Sequence, residues 1–296
     1  MKIAFNNKAY EYVKNKVSHS KYLLLWNYYY FLRKPKVKGR VPYDSPQNEA
    51  KIVKQLKESG FNLKDLTIDT AGYKEYINNA GYYRFPDYYD GGNADNFPEK
   101  SLEHYLAAKL LGLSKDDVYI DIANGYSPAP QIYNALYACD AYRQDIIFPE
   151  GIHKDTIGSW ADDMPVKNDF ATKMAAHCSF EHFEGDRDIK FIREAARVLK
   201  KGGKMCILPL YLFDKYAIQT DPAILWGNKP LFEQDAILHC AKWYYNRYGR
   251  FYDIAHFIAR IRDNENELKL TIYIIQNEKE VSSSCHVKFV AVFEKQ

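Results

Sequence analysis

The stretch VYIDIANGYSPAP, residues 118–130, decides how this chain is read. It opens as an apolar strand that reaches Asp121, turns through a single glycine, Gly125, and enters Ser127-Pro128, a pair suited to a helix start. A strand, a tight turn and a helix in that order open many nucleotide-type folds, whose turns carry two or three glycines. One glycine leaves two readings. Either the backbone at Gly125 passes close to a ligand, with no Cβ in the way, or Asp121 caps a turn that Gly125 merely closes.

The sequence around this unit is regular. Upstream, PEKSLEHYLAAKLLG (98–112) has helical apolar spacing, with Ser101 placed to cap its start and Gly112 to end it. Downstream, SPAPQIYNALYA reads as a helix, AYRQDII and DFATKMAAH as strands, DRDIKFIREAARVLKKGG as a helix ending at its glycine pair, and KMCILPL as a strand. This alternation predicts an α/β fold with a mostly parallel sheet and helices on both faces. The tail carries a helix, DIAHFIARIRDN, then LKLTIYIIQN and HVKFVAVFEK, which suit an antiparallel strand pair.

Before residue 99 the character differs. Residues 1–40 hold ten Lys/Arg against one acid, Glu11, so the overall charge of +3 conceals a basic end on an acidic body. Their apolar run, YLLLWNYYYFL (22–32), is shorter than the roughly 20 residues a spanning helix needs. It reads as a helix packed on the main domain, or as a peripheral contact with an anionic membrane surface. A turn-rich linker (38–46), a helix (46–60) and an irregular tyrosine-rich segment (61–98) follow, giving a helical, basic, Tyr-rich extension over 1–98 and a main domain over 99–296. Five scattered cysteines without a C-x-x-C pair indicate reduced thiols in a cytoplasmic protein.

Three segments in order carry a resemblance. They are VYIDIANGYSP, then GSWADDMPVKNDFATKMAAHCSFEHF, then FIREAARVLKKGGKMCILPL. Together they resemble the class I S-adenosylmethionine-dependent methyltransferases of the small-molecule, type 11 branch, over about residues 99–296. The R-V-L-K-P-G-G turn of that family reads Arg197-Val198-Leu199-Lys200-Lys201-Gly202-Gly203, its A-x-x-L-P loop reads Ala161-Asp162-Asp163-Met164-Pro165, and its S-x-x-x-E-H segment reads HCSFEHF (177–183). The resemblance implies a Rossmann-like, seven-stranded sheet and S-adenosyl-L-methionine as cofactor. Asp121 and the Ala123-Asn124-Gly125 backbone would then face the methionine part, and the Ala161 amide the adenine. The glycine-rich G-x-G-x-G reads Ala123-x-Gly125-x-Ser127, which keeps a close turn where the backbone angles are negative. Trp160 stands where the family has an acid for the adenine amino group, with Asp162 as the substitute.

Asp145, 24 residues after Asp121, is positioned to hold a ribose diol, with Asp140 as its rival. Transfer to oxygen needs a base near neutral pKa, and His177 or His182 answers to that, with Glu181 orienting the imidazole or binding substrate; the alternative is that Glu181 and His182 cap the next helix. The spacing of His153, His177, Glu181 and His182 matches no standard zinc pattern. Residues 210–252 are long for a crossover and rich in aromatics (Tyr211, Trp226, Trp243, Tyr244, Tyr245, Phe251, Tyr252), so they are read as a lid insertion, largely a small helical subdomain, with Tyr211, Arg250 and Tyr252 facing a small-molecule substrate.

The leading expectation is an O-methyltransferase for a small polar acceptor, a sugar or polysaccharide precursor. A silent Rossmann-like scaffold docking through its basic end and a dinucleotide-dependent oxidoreductase are the alternatives; the second lacks its G-x-G-x-x-G turn. The acidic body argues against nucleic acid.

Overall fold

The apolar runs of the main domain assemble into one eight-stranded sheet in a computed structural model that describes residues 36–221 and 232–296. In chain order the elements are β1 (Lys36–Lys38), α1 (Pro46–Glu58), β2 (Leu63–Leu66), α2 (Thr70–Ala80), α3 (Phe97–Leu111), β3 (Val118–Ile122), α4 (Ala129–Tyr137), β4 (Asp140–His153), β5 (Thr156–Gly158) and β6 (Ala171–His177). There follow α5 (Arg187–Val198), β7 (Leu199–Leu208), β8 (Ala217–Thr220), β9 (Ile237–Cys240), β10 (Gly249–Phe251), α6 (Ile254–Arg260), β11 (Leu268–Ile275) and β12 (Phe289–Lys295).

The large sheet runs β2-β11-β12-β7-β6-β3-β4-β5. Strands β5, β4, β3, β6 and β7 are mutually parallel; β12 runs antiparallel between β7 and β11. This is the mostly parallel, Rossmann-like sheet expected, with the C-terminal antiparallel pair inserted at β7 and with β2 added as an eighth strand beside β11. Helices cover both faces. Ile120 and Ile122 of β3 point into the core that Phe191, Ile192 and Ala195 of α5 complete, while Tyr119 points to the opposite core with Leu102, Leu106 and Tyr133 of α3 and α4.

Local structure departs from the sequence reading in places with clear causes. Ser101 does not cap α3, which starts after Asn96; buried inside the helix, its hydroxyl meets Tyr73 Oη at 2.7 Å and the Phe97 carbonyl at 2.9 Å. Gly112 does end that helix, in the left-handed conformation. Helix α5 stops at Val198 and not at the glycine pair, because Leu199 is wholly buried and already pairs with Ala171.

The described residues between 210 and 252 are β-structured where a helical subdomain was expected. Strands β8, β9 and β10 form a second sheet, in the order β1-β9-β8-β10, so β1 from the basic end adds to it. Trp226 and residues 1–35, with most of the segment read as a membrane contact, lie outside the described residues. Among the described residues no helix is long and apolar enough to cross a membrane.

An ion-pair network joins the small sheet to the large one. The wholly buried Arg250 of β10 meets Asp188 of α5 at 2.6 Å and Glu233, and Arg260 of α6 meets the same Asp188 at 2.6 Å. Tyr252 donates to Asp188 at 2.6 Å. Removing one partner of a buried pair leaves a desolvated charge, so Asp188→Ala should lower unfolding stability by about 3 kcal/mol, measured by urea denaturation.

Candidate active site

The carboxyl ends of β3 and β6 meet the middle of β4 at one cavity of about 530 Å³. Ala123, Asp145, Trp160, Ala161 and Asp162 form one side of it, with Ile146; Cys178, Ser179, His182 and Phe183 form the other. Strand ends are where open α/β sheets gather ligands.

The turn after β3 is fastened to β4. Gly125, at φ 59°, donates its amide to Asp145 Oδ2 at 2.7 Å, and Ile147 donates to Oδ1 at 3.0 Å. A carboxylate offers about four lone-pair sites, and these bonds use two. The Ala123 amide donates to Gln144 Oε1 at 3.0 Å, and the Asn124 amide to the Gln144 carbonyl at 2.9 Å. Ala123 itself sits at φ 49°, so the expectation of negative angles there fails. The side-chain and backbone bonds from Gln144 hold an alanine where glycine is at ease, at a cost of about 1–2 kcal/mol.

Strand alternation decides the fate of several expected residues. Asp121 points away from the cavity, to the α3/α4 face, and is 1% exposed. It accepts from Tyr119 Oη at 2.8 Å and Asn124 Nδ2 at 2.5 Å, so Asp121 and the Asn124 side chain brace the turn from beneath and do not face a ligand. Burial pushes the Asp121 carboxyl up to about 7, against the pull of those two hydrogen bonds. His177 shares that face, 3.4 Å from Asp121 and 3.2 Å from Tyr119 Oη. Burial pushes its imidazole down to about 3, with Lys100 adding to the effect, and holds His104, packed against it, well below the ordinary range. Away from the cavity and this reluctant to take a proton, His177 is no base for a substrate.

His182 is the histidine on the cavity. Its Nδ1 lies 2.5 Å from the Tyr248 carbonyl, which can only accept, so the neutral ring carries its proton there and presents Nε2 as a lone pair. Glu181 Oε1 is 3.6 Å from that Nε2. The two belong to a short helical turn, Phe180–His182, and do not cap α5, which begins at Arg187.

Trp160 is 51% exposed, with the Arg187 guanidinium 3.7 Å from its ring centroid, and Arg187 also bonds Asp162 Oδ1 at 2.6 Å. One face of the indole and one oxygen of Asp162 are therefore engaged. Asp140, the rival of Asp145, lies at the first position of β4, the end remote from the cavity. Arg250 and Tyr252 are at 0% and 1% exposure inside the ion-pair network, so neither meets substrate; a charge and a phenol were mistaken for rim groups because their partners, Asp188 and Glu233, lie far off in sequence. Tyr211 reaches Cys178, its hydroxyl 3.3 Å from Sγ. His153 bonds the Glu150 carbonyl at 2.9 Å on the β4–β5 edge, and among the described residues no group of metal-ligating side chains assembles.

Gln144, Ile146, Ser179 and Arg187 were not singled out from sequence. Ile146 had a signal, being the apolar neighbour of the ribose candidate Asp145; the others become visible only when the strand ends converge.

No protein-family model and no curated protein matches this chain. Solved structures similar to it include 1,6-didemethyltoxoflavin-N1-methyltransferase of Burkholderia thailandensis, 10% identical over 79% of this chain and 93% of that one, with TM-score 0.45. A Pyrococcus horikoshii protein is 16% identical over 73% of this chain and 98% of its own, with TM-score 0.47. Geranyl diphosphate C-methyltransferase of Streptomyces coelicolor is 11% identical over 69% and 85%, with TM-score 0.38.

Two measurements check this description. Ala123→Gly should raise unfolding stability by about 1 kcal/mol in urea, since glycine accepts the left-handed angle. For His177 the folded value lies below the ordinary 6.5, so its contribution is whole above pH 6.5 and is lost as pH falls toward 3. Between pH 6.5 and 5 the wild type should lose about 2 kcal/mol through this group, a loss missing in His177→Gln. Asp121 works in the opposite sense, its contribution fading as pH rises from 3.8 toward 7, so the comparison is between variant and wild type at each pH.

Proposed function

We propose that this protein is an S-adenosyl-L-methionine-dependent methyltransferase that acts on a hydroxyl of a small polar acceptor. One observation carries the reading. The cavity joins a backbone-oriented carboxylate, Asp145, to an imidazole of fixed tautomer, His182, across the ends of parallel strands.

The residues present suit the cofactor. Asp145 keeps free lone pairs for a ribose diol, and a charge-assisted acceptor of this kind is stronger than a neutral one. Ile146, Ala161 and Phe183 offer apolar surface for a purine. The close turn at Ala123 to Gly125 lets a ligand lie against backbone, and a Cβ added at Gly125 would project into open space, with nothing within 4 Å. When bound, the cofactor supplies an electrophilic methyl group.

The chain's own part is positioning and proton management. His182 Nε2 takes the proton of the acceptor hydroxyl, and the nearby Glu181 carboxylate favours the imidazolium that results. Phe183 and the Arg187–Trp160 stack border the cavity. Alignment of two reactants in such a site supplies much of the remaining acceleration.

Titration calorimetry tests the reading in two stages. S-Adenosylhomocysteine should bind the wild type with measurable heat, and Asp145→Ala should weaken it by about 1–3 kcal/mol, roughly 5- to 150-fold. Absence of heat at millimolar ligand would remove the proposal. With a turned-over acceptor, His182→Ala should lower kcat by about 100-fold or more.

A further inference from the structure

A neutral imidazole has one proton and two nitrogens on which to carry it, and His182 has an acceptor near each. On the Nδ1 side the Tyr248 carbonyl lies 2.5 Å away; on the Nε2 side Glu181 Oε1 lies 3.6 Å away. The first distance is a hydrogen bond and the second is too long for one. The nearer acceptor therefore holds the proton, and Nε2 is left as the lone pair. This choice depends on position and not on chemistry. Glu181 is 5% exposed, its Oε2 has no hydrogen-bond partner among the described residues, and a carboxylate is a stronger acceptor than a neutral carbonyl. If the Tyr248 carbonyl drew back, the proton would pass to Nε2, facing Glu181, and the lone pair would move to Nδ1, against the small sheet.

The place of that carbonyl is fixed by the rest of its residue and by the neighbours of that residue. Tyr248 directly precedes β10; its ring stacks on Phe232 with centroids 6.4 Å apart, and the Arg250 guanidinium lies 5.4 Å from its centroid. Its hydroxyl reaches both oxygens of Glu233, at 3.0 and 3.1 Å. Burial holds this phenol well above its ordinary range, so it stays a donor. Glu233 also pairs with Arg250, and Arg250 donates to the Gly185 carbonyl at 2.6 Å, three residues beyond His182. The contacts close a ring. His182 is bonded to the Tyr248 backbone, the Tyr248 side chain to Glu233, Glu233 to Arg250, and Arg250 to the segment that carries His182. Next in the chain, Gly249 has no room for a Cβ, because the Tyr244 hydroxyl lies against it.

Glu233, Tyr248 and Arg250 are not among the residues lining the cavity, so they reach the chemistry only through the imidazole. Resting on the methyltransferase reading, we propose that these three are positioning residues that keep His182 in its Nδ1–H tautomer. The base offered to the methyl acceptor is then set by the small sheet and not by the cavity wall.

The tautomer is read directly in the full-length protein labelled on its histidine nitrogens, by long-range proton–nitrogen NMR correlations; His182→Gln identifies the signal by removing it. In the neutral ring of the wild type the proton should sit on Nδ1. Tyr248→Phe deletes the phenol bond alone, while Glu233→Gln keeps an acceptor for the phenol and removes the charge opposite Arg250. Each should shift the tautomer ratio about fivefold or more toward Nε2–H, the net contribution of one hydrogen bond. S-Adenosylhomocysteine affinity, measured by calorimetry, should change less than about twofold in both. Melting curves establish that each variant is folded, and two conservative variants guard against the failure of one. A wild-type proton on Nε2, or an unchanged ratio in either folded variant, overturns this inference alone. Failure of S-adenosylhomocysteine to bind the wild type overturns the reading beneath it, whatever the tautomer.

Discussion

The hydrogen bond from the Gly125 amide to Asp145, 2.7 Å long, is the constraint on which the cavity depends. It ties the turn after β3 to the middle of β4, and with the two bonds to Gln144 it fixes three consecutive amides against one neighbouring strand. The backbone meets this demand only by taking left-handed angles at Ala123 and Gly125. At Gly125 the angle is cheap. At Ala123 it is strained, and strain of this sort survives where the surroundings over-determine it. Cys178, at the end of the adjacent strand β6, is left-handed too, so two strained residues face one cavity from neighbouring strand ends.

Because that turn is rigid, the two faces of the sheet can do different work. Side chains on a strand alternate, and a one-residue difference separates a cavity wall from a buried brace. On β3 this sends Asp121 into the layer beneath α3 and α4, where Tyr119, Asn124 and His177 surround it. The layer is polar yet sealed, with its imidazoles held neutral by burial. Such a network supports the turn from below while contributing nothing to the cavity surface. The opposite face, with Ile120 and Ile122, carries the apolar core against α5.

The Arg250 and Asp188 pair extends the same rigidity to the other wall. Both Arg250 and Arg260 donate to the Gly185 carbonyl, three residues beyond His182, and Arg250 belongs to the small sheet. The small sheet is thereby fastened to the segment that carries His182 and Phe183. The Tyr248 carbonyl that sets the His182 tautomer lies two residues before Arg250. One buried guanidinium therefore stands behind both the position and the protonation pattern of the imidazole on the cavity. Its burial, which disqualifies it as a substrate ligand, is what lets it position others.

What the sequence made legible follows from range. Period-two alternation in VYIDI and helical spacing in the runs that became α3 and α5 are local, and local patterning was enough for the parallel sheet and its order of strands and helices; AYRQDII reads as a strand of seven residues, whereas β4 runs on to His153, its last residues pairing with β5 as well. Facing was not legible for His177 against His182, because a histidine at the last position of a strand points to either face depending on register, and register depends on distant pairing with β3 and β7. The small sheet was hidden for a related reason: β8, β9 and β10 are three or four residues each, and they are held by β1 from the other end of the chain.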